Sequence, residues 1–288
     1  MMSDISNKRQ EVFLKGKEGS ECTINLHGAT VTSWKNKGEE ILFCSEKALL
    51  DGSKAVRGGI PLVFPNFGPW TLGPQHGFAR IKKWREDDAA SQSGDGACSK
   101  VFVLEDDEET RKLWNERFRL EYTVKMEENK LTTSLKIYNK GESAFSFTTL
   151  MHTYFRVDDI DKSGVKGLKG VSYDDKVDGG QHVEDRETVR IDKNYDRIYK
   201  NCPGPVELIP DVDKPGLSRK LIASNLNDIV VWNPWAEKAK SMSDFGDDEY
   251  HNMVCVEAGT VSEQVSLAGN SDVVFSQQII VVDQHSKM

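Results

Sequence analysis

The chain has 288 residues, enough to bury a large core as one β domain without disulfide staples. Its 38% hydrophobic and 29% charged content marks a globular protein, and a net charge of −8 argues against nucleic acid or anionic membrane as a partner, since both need a positive field. Cys22, Cys44, Cys98, Cys202 and Cys255 are scattered and form no Cys-x-x-Cys pair, which reads as reduced thiols in a cytoplasmic protein rather than a disulfide or zinc framework.

The N-terminal stretch MMSDISNKRQEVF carries no apolar leader core, and no later segment approaches the length of a membrane span. Short strands are expected at 21–25, 29–34, 40–43 and 100–104, with a turn at 45–50 and a short polar helix over 107–117. Between 118 and 126, Phe118, Leu120, Tyr122, Val124 and Met126 alternate with polar neighbours, and Leu131, Thr133, Leu135 and Ile137 do the same after a turn at 127–130. Period-two patterning on both sides of a turn predicts a β-hairpin. A second turn at 139–141 leads into a strand over 144–157, and further strands are expected at 229–232, 252–257 and 273–282. Long loops span 58–80 and 158–190. With no internal repeat and no break in composition, these elements predict one all-β, mostly antiparallel domain over residues 1–288, with its core at about 20–285. Ligand chemistry is expected on its loops.

Four constellations, spread over six segments, carry groups that could do chemistry. In SFTTLMHTYFRVDD, a regular strand would turn Phe145, Phe147 and Met151 one way and Ser146, Thr148, Leu150, His152, Tyr154 and Arg156 the other. His152 then sits on the more polar face, where a lone imidazole is more often structural than catalytic. No histidine pair has metal-ligand spacing, so no metal is expected. In HNMVCVEAGTVSEQ, Glu257 ends an apolar run. A carboxylate there is costly unless paired or used, and desolvation would make it a stronger base. In KAVRGGIPLVFPNFGPW and GPQHGFARIKKWR, Arg57 precedes two glycines, while His76 and Arg80 flank Gly77-Phe78-Ala79. Tight backbone and guanidinium forks suit anionic oxygens. The aromatics Phe64, Phe67, Trp70 and Phe78 read mostly as core. NYDRIYKN offers Asp196, and VWNPWAEKAKSMSDF offers Trp232 and Trp235 as walls of a carbohydrate-sized pocket, with Asn233 and Lys238 beside them. Phosphate-loop and dinucleotide fingerprints are absent.

Taken in order, RGGIP with FP-x-FG (57–68), QHGFAR (75–80), LMHTYFRV (150–157), YDRIY (195–199), VWNPW (231–235) and CVEAG (255–259) resemble the aldose 1-epimerase superfamily, within it the glucose-6-phosphate 1-epimerases. The resemblance implies a β supersandwich of large twisted antiparallel sheets, with the site on a concave sheet surface. It implies His152 and Glu257 as the catalytic pair, Arg57, Gln75, Arg80 and Asp196 as substrate-binding residues, and His76 as site-lining. Ala258 stands where the family motif usually has proline, which implies a looser backbone after Glu257.

Interconversion of sugar anomers needs no redox change, metal or cofactor. It needs a base for the C1 hydroxyl proton and an acid for the ring oxygen, roles that Glu257 and protonated His152 can fill. Asp196 is expected to hold sugar hydroxyls and favour the imidazolium. A C6 phosphate is expected at Arg57 and Arg80, with Lys54, Lys82 or Lys83 adding positive field. The partner implied is a small sugar phosphate, acted on by a monomer. The rival readings are a mutarotase of unphosphorylated aldoses and a non-catalytic carbohydrate-binding protein, although a binding module would need neither acid nor base.

Overall fold

A computed structural model describes residues 10–94, 97–214 and 216–283. The first nine residues, read for a leader, and positions 284–285 of the expected core lie outside the described residues. The strands assemble into a four-stranded, a ten-stranded and an eight-stranded sheet. Residues from all of them, including Ile24, Val31, Tyr122, Leu135, Val231 and Val256, join one apolar core. This is the expected all-β supersandwich.

The hairpin at 118–137 is present as Phe118–Glu127 and Lys130–Asn139, with Glu127 opposite Lys130. Its buried and half-buried residues alternate strictly, because one face meets the core and the other meets water. The polar helix is shorter than expected, Glu108–Leu113. Asp107 caps it in a reciprocal pair with Thr110. It stops where Trp114 adopts extended backbone and turns its ring edge-on to Phe145, centroids 4.9 Å apart.

Two expectations need correction. The strand expected over 144–157 is broken into Phe145–Met151 and Tyr154–Arg156, with a register shift between Phe147 and Thr149. At the break, the His152 backbone N–H donates to the Pro61 carbonyl, and Thr153 exchanges hydrogen bonds with Gln277. The face assignment survives: Phe147, Met151 and Phe155 enter the main core, while Leu150 and Tyr154 belong to separate clusters on the other side. The region 158–190 is not one long loop, since it holds Gly164–Lys166, Ser172–Asp175, Gln181–Val183 and Thr188–Val189. Strands this short, set between Gly and Asp residues, leave no readable alternation.

In the eight-stranded sheet, Tyr195–Tyr199, Asp228–Asn233, Met253–Leu267 and Phe145–Met151 lie side by side and antiparallel, and Tyr154–Arg156 adds to Met253–Leu267. Around the site, from Ile229 to Asn233 and from Met253 to Gly259, both faces of these strands are buried. Tyr199, Val231, Val254, Val256 and Ala258 face the main core. The alternate positions Ile198, Val230, Trp232, Met253 and Cys255 form smaller clusters on the opposite face. That opposite face is the floor of a cleft.

Candidate active site

Register brings the chemical groups together. Asp196 lies opposite Trp232, Trp232 and Tyr154 both lie opposite Cys255, and Glu257 is two residues further along the same strand, opposite Val230. Side chains two apart share a sheet face, so Asp196, Trp232, Cys255 and Glu257 converge with no loop needed to carry them. His152, at the strand break, completes the row. Its Nδ1 is 3.4 Å from Glu257 Oε2, with both side chains nearly withdrawn from solvent. Neither atom has a hydrogen-bond partner. The His152 ring stacks on Tyr154, centroids 4.7 Å apart and 11° from parallel, and meets Trp232 edge-on at 6.2 Å.

The other wall comes from residues 58–80, which are not one long loop as expected, since Leu62–Val63 forms a short strand paired with Met151 and Leu150. Gly59 sits at φ +65, where a Cβ would lie 1.9 Å from the Val31 carbonyl oxygen, and Gly77 at φ +71, where it would lie 2.1 Å from that of Phe64. Only glycine permits these approaches, and they anchor both ends of the segment. His76 Nδ1 accepts from the Gly68 N–H at 3.1 Å, while the His76 N–H donates to the Gly68 carbonyl at 2.9 Å. The Arg80 guanidinium donates to the Gln75 carbonyl at 2.8 Å, and its Nε is buried without a partner. Arg57 reaches Asp244 at 3.2 Å and the Tyr154 hydroxyl at 3.4 Å.

The resulting cleft of about 550 Å³ is lined by every site residue expected from the sequence: Arg57, Gln75, His76, Arg80, His152, Asp196, Trp232 and Glu257. Lys176 and Lys238 also line it, whereas Lys54, Lys82 and Lys83 do not. Lys54 reaches Ser243, and Lys82 is held by Asp107 and Glu109. Trp235 is not a wall either: it packs against Tyr250 at 5.2 Å and starts the helix Trp235–Ser241. Phe64 and Phe78 are core, as expected, while Phe67 lines the cleft. Tyr154 and Asp244, which hold Arg57, were missed as site residues. Tyr154 shares the parity of His152 and so was within reach of the pattern, but nothing in the sequence around Asp244 signals its role. Ala258 does not loosen the strand, because it is fully buried and paired with Ile229 on one side and Met151 on the other.

Burial drives the ionisation states. It pushes Glu257 well above the usual carboxylate range, and Asp196 pushes the same way while Arg80 opposes. Burial pushes His152 well below the usual imidazole value, with His76, Arg80 and Arg57 adding to the effect. The expectation that Asp196 favours the imidazolium is therefore corrected: its charge bears on Glu257, and the charges bearing on His152 are cationic. Burial and the two arginines lower His76 to about 3, in keeping with Nδ1 as an acceptor. Burial lowers Arg80 to about 10. Asp196 is raised by burial, against which Lys238 and Lys176 pull it down.

A buried carboxyl and imidazole in contact, on the floor of a polar cleft rimmed by cations, have the composition of an acid/base pair. The chain belongs to the aldose 1-epimerase family, which it matches over residues 10–278, and it is an isomerase of the epimerase type. It is 36% identical over 266 residues to a Cenchrus ciliaris protein provisionally named a glucose-6-phosphate 1-epimerase, covering 90% of this chain and 80% of that protein. An Escherichia coli protein with the same provisional name is 34% identical over 267 residues, covering 91% and 87%. The crystal structure of a provisionally assigned mutarotase from Salmonella typhimurium superposes with a TM-score of 0.86 at 28% identity, covering 95% of this chain and 90% of that one. Among the described residues no helix is long and apolar enough to cross a membrane.

Proposed function

We propose that the protein interconverts the α and β anomers of D-glucose 6-phosphate and of other hexose 6-phosphates. The observation that carries this reading is the 3.4 Å contact between His152 and Glu257 on the floor of a cleft rimmed by Arg57, Arg80, Lys176 and Lys238. Glu257 takes the proton from the C1 hydroxyl while His152 gives one to the ring oxygen, and the C1–O5 bond opens. The carbonyl turns its other face, and the same two groups close the ring in reverse. Each such proton transfer is worth roughly 10²–10⁴-fold in rate.

Burial favours the uncharged forms, a neutral imidazole beside a protonated carboxyl, and the cations near His152 add to this. A phosphate dianion bound between Arg57 and Arg80 offsets the cations that oppose an imidazolium. Substrate binding therefore moves the proton toward His152 and primes the pair. On this reading phosphate affects the rate of the chemical step as well as affinity, because it tunes a group that acts in the transition state. Asp196 and Gln75 hold sugar hydroxyls. The protein works as a monomer in the cytoplasm, without cofactor.

The test is to mix freshly dissolved α-glucose 6-phosphate with protein and follow anomerisation by NMR. Wild type is expected to exceed the spontaneous rate, with His152→Ala and Glu257→Gln close to it. A wild-type rate equal to the spontaneous one would leave only a sugar-binding protein. Equal rates on glucose and glucose 6-phosphate would leave a mutarotase of unphosphorylated aldoses.

A further inference from the structure

Cys255 takes no part in the chemistry above, yet it lies against both groups that do. We infer that His152, Cys255 and Glu257 form an inhibitory site for a thiophilic divalent cation of the zinc class. A ring nitrogen of His152, the Cys255 sulfur and a carboxylate oxygen of Glu257 all lie within 4.8 Å of one another, and all three residues are buried. Independently of that clustering, His152 Nδ1 and Glu257 Oε2 lack hydrogen-bond partners, an expensive arrangement in a protein interior. Cys255 is a free thiol.

The donor set fits one class of ion. One nitrogen, one sulfur and one carboxylate oxygen suit zinc, whereas magnesium and calcium require oxygen shells. Zinc–ligand bonds of roughly 2.0–2.3 Å put neighbouring ligand atoms about 3.3–3.8 Å apart. The His152–Glu257 contact, at 3.4 Å, already has that spacing. The donor atoms, within 4.8 Å of one another, need to close by up to about 1 Å. Three protein ligands leave a fourth position for water or substrate. Sheet register fixes the backbone of Cys255 between Trp232 and Tyr154 and that of Glu257 beside Val230, so two of the three ligands are preorganised.

Binding releases the Cys255 thiol proton to solvent, together with the carboxyl proton when Glu257 carries one. No electrons move. The bound cation occupies the His152 lone pair and a Glu257 oxygen, so anomerisation stops until a chelator removes it. The inhibition arm rests on the proposed roles of these two residues, and the binding arm does not.

The experiment uses chelator-stripped full-length protein titrated first with Co²⁺ as a spectroscopic probe and then with Zn²⁺. Wild type is expected to bind one equivalent of Co²⁺ with a near-ultraviolet sulfur-to-cobalt charge-transfer band that Zn²⁺ abolishes. Cys255→Ser and Cys255→Ala should lose the band. Micromolar Zn²⁺ should stop wild-type anomerisation of glucose 6-phosphate, with recovery in EDTA. Both Cys255 variants should keep their zinc-free activity but need at least about ten-fold more Zn²⁺ for the same inhibition, since even outer-shell partners of a metal are worth roughly 10–100-fold. Zinc lost to the sugar phosphate is the same for all three proteins and cancels. A missing band in wild type, or a band and inhibition unchanged in both variants, overturns the inference. A thiolate band in a protein without epimerase activity would instead overturn the functional reading and leave the metal site standing.

Discussion

The two faces of the eight-stranded sheet are built from the same strands and differ only in which alternate residue they present. The core face carries Phe147, Val231, Val254, Val256 and Ala258, packed into the main cluster. The cleft face carries Glu257, Asp196 and Trp232 from those strands or their neighbour, with His152 at the break. Adjacent residues on the two faces, Val256 and Glu257, are equally buried at 1% exposure. Burial stabilises the first and works against the charged form of the second. A sheet can hold a reactive carboxylate because the opposite face supplies the folding free energy that the cleft face gives up.

Substitutions on the two faces should therefore separate activity from stability. The largest effect is expected from Glu257→Gln, which keeps shape and removes the base: kcat falls roughly 10²–10⁴-fold while the thermal midpoint stays level or rises. Paired stopped-flow polarimetry and calorimetry would read both, and a large loss of midpoint would show Glu257 to be structural. Phe147→Ala, on the other face, should lower stability by about 3–5 kcal/mol in urea titration and leave kcat within a few-fold. Arg57→Ala and Arg80→Ala come next. Each should raise KM and lower kcat for glucose 6-phosphate by about ten-fold or more, the scale of one charge-assisted contact, with little change for glucose. An equal effect on both sugars would remove the arginines from phosphate recognition.

The smallest expected effect concerns acid. A histidine lowered from about 6.5 on folding takes up its proton more readily in the unfolded chain, so it destabilises as pH falls below 6.5 until the folded group also titrates. For His76 that window runs from 6.5 down to about 3. His76→Gln should retain more stability at pH 4.5 relative to pH 7 than wild type does, by up to about 5 °C in midpoint. An identical acid slope would mean that His76 does not titrate as its surroundings dictate. Glu257 acts in the opposite sense, because a raised carboxyl costs stability as pH rises through its folded value.

What was legible in the sequence follows the same division. The Phe118–Glu127 and Lys130–Asn139 hairpin could be read nearly to the residue, because water on one face enforces alternation. The strands beneath the site are covered on both faces, so Ile229 to Trp232 and Met253 to Val256 read as apolar runs without a face. The strand from Met253 continues to Leu267, well past where the apolar run stops. Lys176 could not be found from the sequence. It sits in a turn held by Asp175, whose carboxylate accepts from the Val177 and Asp178 N–H groups and binds Arg197, and only the fold brings that turn to the cleft rim. Asp244 is remote from Arg57 in sequence for the same reason. The expected site residues Arg57, Gln75, His76, Arg80, His152, Asp196, Trp232 and Glu257, by contrast, all line one cleft.

Glu257 sits mid-strand, with paired neighbours on both sides and ten further residues of strand beyond it. Arg57, Gln75, His76 and Arg80 hang on connecting segments, pinned at a few glycine contacts. Amide hydrogen exchange should accordingly be slowest around Glu257 and much faster across the arginine segments. Such a layout lets the recognition segments drift over generations without disturbing the proton-transfer groups. A new anionic sugar could be accommodated by changing the rim while the sheet keeps its chemistry.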